Sequence, residues 1–190
     1  MTGLPPVTLV LGGARSGKSR HAEALVEAEP GACIYLATAE AGDAEMAERI
    51  ARHRARRGPR WETVEEPLEL IAALSDVAGP GRAVLVDCLT LWLSNLLVAE
   101  RDPTSETERL IACLENLPGP AVLVSNEVGL GVIPDNALAR AFVDHAGRLH
   151  QALGETAQSV RFLAAGQVLH LKTPPKSTPE ESGGRGDVTE

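Results

Sequence analysis

One stretch near the start of the chain has the residue types and spacing of a phosphate-binding loop. Its glycines allow the backbone to fold tightly around phosphate oxygens, and successive N–H groups form an anion-binding nest at the positive end of the next helix. The lysine of such a loop reaches the outer phosphates of a nucleoside triphosphate, and its serine hydroxyl binds Mg²⁺. The pattern G-x-x-x-x-G-K-S is formed by Gly12, Gly13, Ala14, Arg15, Ser16, Gly17, Lys18 and Ser19.

The surroundings of this loop favour phosphate binding over a glycine turn that binds nothing. An apolar run over residues 7–11 predicts a strand before it, and a helical pattern follows it. Lys18 is also the only lysine before residue 172, in a chain that otherwise uses arginine. A compact ammonium group suits a narrow phosphate cradle better than a planar guanidinium group does.

A second signature of nucleotide-binding proteins is an acidic residue at the end of a strand. The predicted strand over residues 83–86 ends in Asp87. A carboxylate at the carboxyl end of such a strand can hold Mg²⁺ directly or through water. The alternative is that Asp87 caps the helix that follows, because aspartate is a favoured N-cap residue.

The segment 49–60 places six arginines around His53. If it is helical as far as Gly58, arginines lie three and four residues from the histidine on the same helix face. Nearby positive charge disfavours the imidazolium form, so His53 is expected to be neutral and able to attack phosphorus, with guanidinium groups binding phosphates. A solvated basic helix face with an incidental histidine explains this segment at least as well. RNA binding is a third interpretation, which the acidic remainder of the chain disfavours.

A third polar position follows the predicted strand 121–125, where Asn126 and Glu127 precede a loop containing glycines. Ligands of parallel α/β sheets bind at the carboxyl ends of strands. Glu127 would therefore face an acceptor or a metal, or else cap a loop amide. The histidines at positions 21, 145, 150 and 170 are interpreted as structural or surface residues.

These positions are held by alternating strand and helix patterns, which predict an α/β fold with a mostly parallel sheet and helices on both faces. Strands are expected at 7–11, 33–37, 83–86, 121–125 and 160–164, with a last short strand at 168–171 pairing through Gly166. Helices are expected near 19–29, 43–57, 67–77, 88–99, 104–116 and 135–154. Residues 1–171 are predicted to form one domain, and residues 172–190, rich in Pro, Gly, Ser and Glu, a disordered tail.

The composition of the chain argues against nucleic-acid-binding, membrane-spanning and secreted proteins. A net charge of −8 argues against general nucleic-acid binding, and no apolar run is long enough for a membrane span. The start of the chain lacks the basic region of a secretion signal. Cys33, Cys88 and Cys113 lie inside apolar patterns, so they are expected to be core residues with free thiols. Free thiols suit a reducing compartment, and the protein is therefore expected to be cytoplasmic.

Four segments together resemble the bifunctional adenosylcobinamide kinase / adenosylcobinamide-phosphate guanylyltransferase family of cobalamin biosynthesis. They read GGARSGKSRHAE, RIARHRARRGPRWETVEEP, VDCLTLWLSNLL and VLVSNEVGLGVIPDNALARAFVDHAGRLHQ. The resemblance spans residues 7 to about 172 and implies a P-loop NTPase with a RecA-like sheet that assembles as a homotrimer. Some relatives have two adjacent histidines where this chain has Arg52 and His53.

The resemblance implies two reactions and a set of site residues. The hydroxyl of the aminopropanol arm of adenosylcobinamide takes the γ-phosphoryl group of ATP or GTP. GTP then guanylylates His53, and adenosylcobinamide phosphate takes the GMP. Lys18 would be catalytic with His53, and Ser19 and Asp87 would hold Mg²⁺. Besides the phosphate loop, the implied nucleotide contacts are Ala37, Thr38, Ala39, Arg54, Ala55, Arg56, Arg57, Glu65 and Asp87.

Two other functions remain open on the sequence. One is a simple small-molecule kinase with a P-loop, which would not retain label from the α-phosphate of GTP. The other is a regulatory nucleotide-switch ATPase, which would hydrolyse nucleotide without cobinamide and respond to a protein partner.

Overall fold

A computed structural model describes residues 3–39 and 57–174 of the protein. In these ranges the chain forms seven strands and five helices. The strands are β1 (Val7–Gly12), β2 (Ala32–Ala37), β3 (Trp61–Glu65), β4 (Arg82–Asp87), β5 (Ala121–Asn126), β6 (Ser159–Ala164) and β7 (Gln167–Lys172). The helices are α1 (Lys18–Glu27), α2 (Leu70–Val77), α3 (Leu89–Val98), α4 (Pro103–Glu115) and α5 (Ala137–Thr156).

The seven strands form one sheet in the order β3-β2-β4-β5-β1-β6-β7. Neighbouring strands are parallel except for β7, which is antiparallel to β6. The predicted parallel α/β sheet is therefore confirmed, as is the final hairpin. Since β1 lies between β5 and β6, the phosphate loop leaves the sheet near its middle.

Alternate residues of the central strands enter two apolar clusters on opposite faces of the sheet. One cluster joins strand residues such as Leu9, Ile34 and Leu123 to buried side chains of helices α2 to α5. The other joins Val10, Leu85 and their neighbours to α1. Burial on both faces explains why these strands read as uninterrupted apolar runs.

Strand β3 is an element that the sequence patterns did not predict. It is an edge strand that pairs only with β2 in the described sheet, so its side chains are half-buried or exposed. Glu62 and Glu65 interrupt the apolar residues of this short strand, which hides it from a search for apolar runs.

The other predictions agree with the structure to within a few residues. Helix α5 runs two residues further than expected, and β7 includes Lys172, the first residue of the predicted tail. Lys172 donates from Nζ to the carbonyls of Gly154 at 3.1 Å and Glu155 at 2.8 Å. The predicted helix 43–57 lies almost wholly outside the described residues, as does most of the tail.

Cys33 and Cys88 are buried, Cys113 is half-buried, and all three cysteines are free thiols. Among residues 3–39 and 57–174, no helix is long and apolar enough to cross a membrane.

Candidate nucleotide site

The predicted phosphate loop joins the carboxyl end of β1 to the first turn of α1. Gly12 is packed so closely that an added Cβ would lie 2.6 Å from the Leu163 carbonyl oxygen and 2.6 Å from Ser16 Oγ. Gly17 has φ +98°, a left-handed conformation that glycine adopts without strain, and precedes the first helical residue. Ala14 and Arg15 are exposed at the outer side of the loop. The glycine positions thus meet the steric needs of a tight turn into a helix.

Lys18 is folded back over this turn. Its Nζ lies 3.2 Å from the carbonyl oxygen of Gly13, and the residue is only 7% exposed. The first turn of α1 has no side-chain cap. No side chain of the described residues therefore caps the backbone N–H groups of this turn, and a phosphate oxygen beside the lysine would be an acceptor for them. Ser16 Oγ is buried without a hydrogen-bond partner in the described part of the chain, and Ser19 is half-buried.

Asp87 lies at the carboxyl end of β4 and is half-buried. Its Oδ2 accepts a hydrogen bond from the Tyr35 hydroxyl at 3.1 Å. Helix α3 has Cys88 as its N-cap and receives no side-chain cap, so Asp87 does not serve as the N-cap considered above. Burial, and then the nearby Asp87 carboxylate, raise the pKa of Tyr35, which keeps this phenol protonated.

Thr38 fixes the backbone around Asp87. Its Oγ1 donates to the Cys88 carbonyl at 2.7 Å and accepts from the Cys88 N–H at 2.9 Å, and its own N–H donates to the Asp87 carbonyl at 3.3 Å. Thr38 is fully buried and Ala39 is half-buried. The ends of β2 and β4 are thereby held together where Asp87 leaves the sheet.

The carboxyl ends of three neighbouring strands are aligned in register at Ala37, Glu65 and Asp87. Ala37 pairs with Glu65 of β3 on one side and with Asp87 of β4 on the other. The predicted contact residues at the ends of β2, β3 and β4 therefore lie together at the carboxyl end of the sheet. The phosphate loop leaves the sheet at this same end.

Arg57, the last of the nucleotide contacts predicted in the arginine segment, contacts the same region. Its Cζ lies 3.5 Å from the centre of the Tyr35 ring, and its Nη1 donates to Thr63 Oγ1 at 3.2 Å. Tyr35 links this guanidinium group to Asp87, and no motif pointed to this tyrosine. The other predicted residues of the segment, His53, Arg54, Ala55 and Arg56, lie outside the described residues.

A second polar group lies at the end of β5. Asn126 pairs with Gly12, and the N–H of Glu127 donates to the Gly12 carbonyl at 3.0 Å. The Glu127 carboxylate accepts the Gly129 N–H at 2.6 Å, which is the loop-capping role considered from the sequence. His150 of α5 reaches the same group, with Nε2 2.7 Å from Ser125 Oγ. No sequence pattern connects His150 to the site, because it lies 25 residues from Ser125 in the chain.

The available oxygen atoms suit Mg²⁺. In the described ranges no three His, Cys, Asp or Glu side chains form a group that could enclose a metal. Magnesium in nucleotide sites commonly keeps several waters and takes one or two carboxylates together with substrate phosphates. One hydroxyl, from Ser19, and one half-buried carboxylate, from Asp87, fit that pattern better than the pattern of a metal bound by protein ligands alone.

Comparisons with known proteins agree with this arrangement. The cobinamide kinase / cobinamide phosphate guanyltransferase family matches residues 8–171. The bifunctional adenosylcobalamin biosynthesis protein CobP of Pseudomonas aeruginosa is 55% identical over 170 residues, covering 88% of this chain and 98% of the relative. The protein CobU of Escherichia coli K12 is 40% identical, covering 86% and 98%.

Solved structures share the fold at low sequence identity. The RadB recombinase superposes with a TM-score of 0.52 at 16% identity, over 84% of this chain and 75% of its own. An ATPase from a type III secretion system gives 0.54 at 10% identity, over 83% and 51%. These likenesses support the RecA-like P-loop fold. The match over residues 8–171 and the 55% identity to a relative covered almost completely mean that the chain belongs to the bifunctional cobinamide kinase / cobinamide phosphate guanyltransferase family.

Proposed function

We propose that the protein phosphorylates the aminopropanol hydroxyl of adenosylcobinamide with ATP or GTP. It then transfers GMP from GTP, through a guanylylated His53, to adenosylcobinamide phosphate. The products are adenosylcobinamide-GDP and pyrophosphate, and the pathway is cobalamin nucleotide-loop assembly. Besides family membership, the observation that carries this proposal is the phosphate loop, with Lys18 folded over Gly13 at the same sheet edge as Asp87.

In the kinase step the acceptor hydroxyl attacks the γ-phosphorus, and the bond from that phosphorus to the β-phosphate oxygen breaks. Lys18 and the N–H groups of the phosphate loop stabilise the charge that develops on the phosphate oxygens. Ser19 and Asp87 would hold Mg²⁺, which supplies further positive charge at the β- and γ-phosphates. Ala14, Arg15 and the glycines of the loop contact the nucleotide through their backbone.

In the guanylyl step a nitrogen of His53 attacks the α-phosphorus of GTP. The bond between this phosphorus and the oxygen bridging to the β-phosphate breaks, and pyrophosphate leaves. A phosphate oxygen of adenosylcobinamide phosphate then attacks the same phosphorus and releases His53. We assign the remaining nucleotide contacts of this step to Ala37, Thr38, Ala39, Arg54, Ala55, Arg56, Arg57 and Glu65. Arg57 packs against the Tyr35 ring, so it can anchor the arginine segment next to Asp87.

Replacing one residue of each step tests the division of labour. We expect His53→Ala to lower guanylyl transfer by more than about 10³-fold and to leave phosphorylation of adenosylcobinamide unchanged, because only one step uses the nucleophile. Lys18→Ala should lower both by at least about 10²-fold. Products are read by mass after incubation with adenosylcobinamide and each nucleotide for the kinase step, and with adenosylcobinamide phosphate and GTP for guanylyl transfer. His145→Ala is the matched control for loss of a histidine.

Labelling with α-³²P-GTP tests the covalent step directly. A phosphoramidate is labile in acid and stable in alkali, so the label on the enzyme should be lost in acid alone and be absent from His53→Ala. Label that survives acid would exclude a guanylyl-histidine. Phosphorylation of a small molecule without any label on the enzyme would indicate a simple kinase. Nucleotide hydrolysis that ignores cobinamide would indicate a regulatory ATPase.

We also propose that the protein works in the cytoplasm as a homotrimer. The resemblance supports the trimer, and three free cysteines suit a reducing compartment. The mass of the assembly in solution tests the homotrimer.

A further inference from the structure

Glu127 follows β5 next to the start of the phosphate loop, and its carboxylate has no role in the function proposed above. Its backbone N–H donates to the carbonyl oxygen of Gly12, the first residue of the loop, at 3.0 Å. The preceding residue, Asn126, pairs with Gly12 in the sheet. Glu127 is therefore attached to the backbone from which the phosphate loop starts, at the edge where ligands of parallel sheets bind.

One oxygen of this carboxylate is fixed and the other is available. Oε1 accepts the Gly129 N–H at 2.6 Å, which sets the orientation of the group. Oε2 lies 3.8 Å from His150 Nδ1, which is too far for a hydrogen bond, and accepts none from the described residues. The side chain is 20% exposed. A carboxylate that is oriented through one oxygen, and whose other oxygen accepts no hydrogen bond from the described residues, can accept a proton from a bound alcohol.

His150 supports this arrangement from the protein interior. Its side chain is 9% exposed, and its Nε2 lies 2.7 Å from Oγ of the fully buried Ser125. Burial lowers the pKa of His150 more than the Glu127 carboxylate raises it, so the imidazole is neutral at pH 7. A neutral neighbour packs against Glu127 without forming the ion pair that a lysine or arginine would form there.

The other carboxylates at the carboxyl end of the sheet are placed differently. Asp87 accepts the Tyr35 hydroxyl and is assigned to Mg²⁺. Glu65 lies on the edge strand β3, which β2, β4 and β5 separate from β1. Glu127 is at the end of β5, the strand directly next to β1, and this makes it the carboxylate nearest in the sheet to the start of the phosphate loop.

From this juxtaposition we propose that Glu127 is the general base of the kinase step and that His150 is its positioning residue. The assignment rests on the proposed function. Glu127 Oε2 takes the hydroxyl proton of the acceptor as the hydroxyl oxygen bonds to the γ-phosphorus. The bond to the β-phosphate oxygen breaks, the nucleoside diphosphate leaves, and the proton passes from Glu127 to solvent. Guanylyl transfer needs no such base, because its acceptor is a phosphate oxygen that is already ionised.

The test is to measure both reactions separately in Glu127→Gln, a substitution that keeps the size of the side chain and its acceptor for Gly129. With adenosylcobinamide and ATP, kcat should fall about 10²- to 10⁴-fold, the range for loss of a general base, while KM changes little. With preformed adenosylcobinamide phosphate and GTP, the rate should stay within about twofold of wild type, because only the kinase step uses this base. Glu155→Gln, an exposed carboxylate of α5, is the matched control and should leave both rates unchanged.

A kinase rate in Glu127→Gln equal to wild type would overturn the assignment. Equal losses in both reactions would also overturn it, because they would mean that Glu127 only maintains the loop. If the wild-type enzyme itself carried out neither reaction, the proposed function would fail instead, so the two failures are distinguishable.

His150→Gln separates positioning from a merely structural role. We expect kcat of the kinase reaction to fall about tenfold at unchanged KM, with guanylyl transfer preserved, because the substitution acts only through Glu127. His145→Gln on the same helix is the control. A fall in both reactions, or no change in kinase kcat, would exclude His150 as a positioning residue.

Discussion

At the residue scale, the phosphate loop depends on a close contact between backbone segments. Gly12 faces the backbone of Leu163 in β6 on one side and Ser16 on the other, and a methyl group there would lie 2.6 Å from an oxygen atom of each. Real Cβ atoms do not approach oxygen so closely, so the loop or β6 would have to move. Gly13, the next residue, has no atom within 4 Å of an added Cβ.

Gly12→Ala should therefore weaken nucleotide binding, while Gly13→Ala should not. Overpacking of this kind costs about 1–3 kcal/mol, which corresponds to a roughly 5- to 150-fold higher Kd for GTP if the displaced loop carries the whole cost. Titration calorimetry measures Kd, and circular dichroism verifies that both variants remain folded. Equal affinity in the two variants would mean that the contact with Leu163 does not shape the loop.

Residues of the site were predictable where they belong to a motif of consecutive positions in the sequence. The loop from Gly12 to Ser19 and the strand ending in Asp87 each form a continuous pattern, and the structure brings both to the same edge. Tyr35 and His150 were not predictable, because their partners lie 52 and 25 residues away in sequence. Only the fold brings such residues together, and a single aromatic or histidine in an apolar pattern reads as a packing residue.

At the element scale, burial decided which strands could be predicted. Strands β1, β2, β4 and β5 are covered on both faces and appear as apolar runs. Strand β3 is an edge strand with a mixed pattern and was missed. Strand β7 is also mostly exposed, yet it was predicted because Gly166 marks the turn that joins it to β6.

The hairpin of β6 and β7 supports the phosphate loop. At its turn the N–H of Gly166 donates to the carbonyl of Ser16 at 3.1 Å, and at its end Lys172 caps the last carbonyls of α5. Lysine at a helix C-terminus interacts favourably with the helix dipole as well. Removing β7 would expose one edge of β6 and remove this cap.

We therefore expect a chain ending after Gln167 to unfold roughly 5–10 °C below the full chain. That shift corresponds to about 2–3 kcal/mol for a chain of this size. It should also bind GTP more weakly, because the turn next to Ser16 loses its strand. A chain ending after Pro174 keeps β7 and is the control, with the thermal midpoint and both activities of the full chain. Loss of activity in this longer chain would mean that the tail has a role and that the domain does not end near residue 171.

At the scale of the whole molecule, several large apolar side chains of the described residues are exposed. Leu130, Val132, Ile133 and Leu138 are exposed between the end of β5 and the first turn of α5. Val98 is exposed at the end of α3, and Leu169 and Leu171 on β7. Val98 and Leu138 also line a groove of about 480 Å³ between α3 and α5. Monomers seldom expose contiguous apolar surface of large extent. Such a surface is compatible with association, which the family resemblance predicts.

The homotrimer is tested by the mass of the protein in solution. We expect sedimentation equilibrium to give about 60 kDa, three times the 20.0 kDa of the chain, because a closed ring of three copies satisfies each interface without leaving one open. A net charge of −8 on each copy opposes association, so raising the salt concentration should screen the repulsion and favour the trimer at low protein concentration. A mass near 20 kDa at all protein and salt concentrations would contradict the trimer and leave the exposed apolar side chains in contact with solvent.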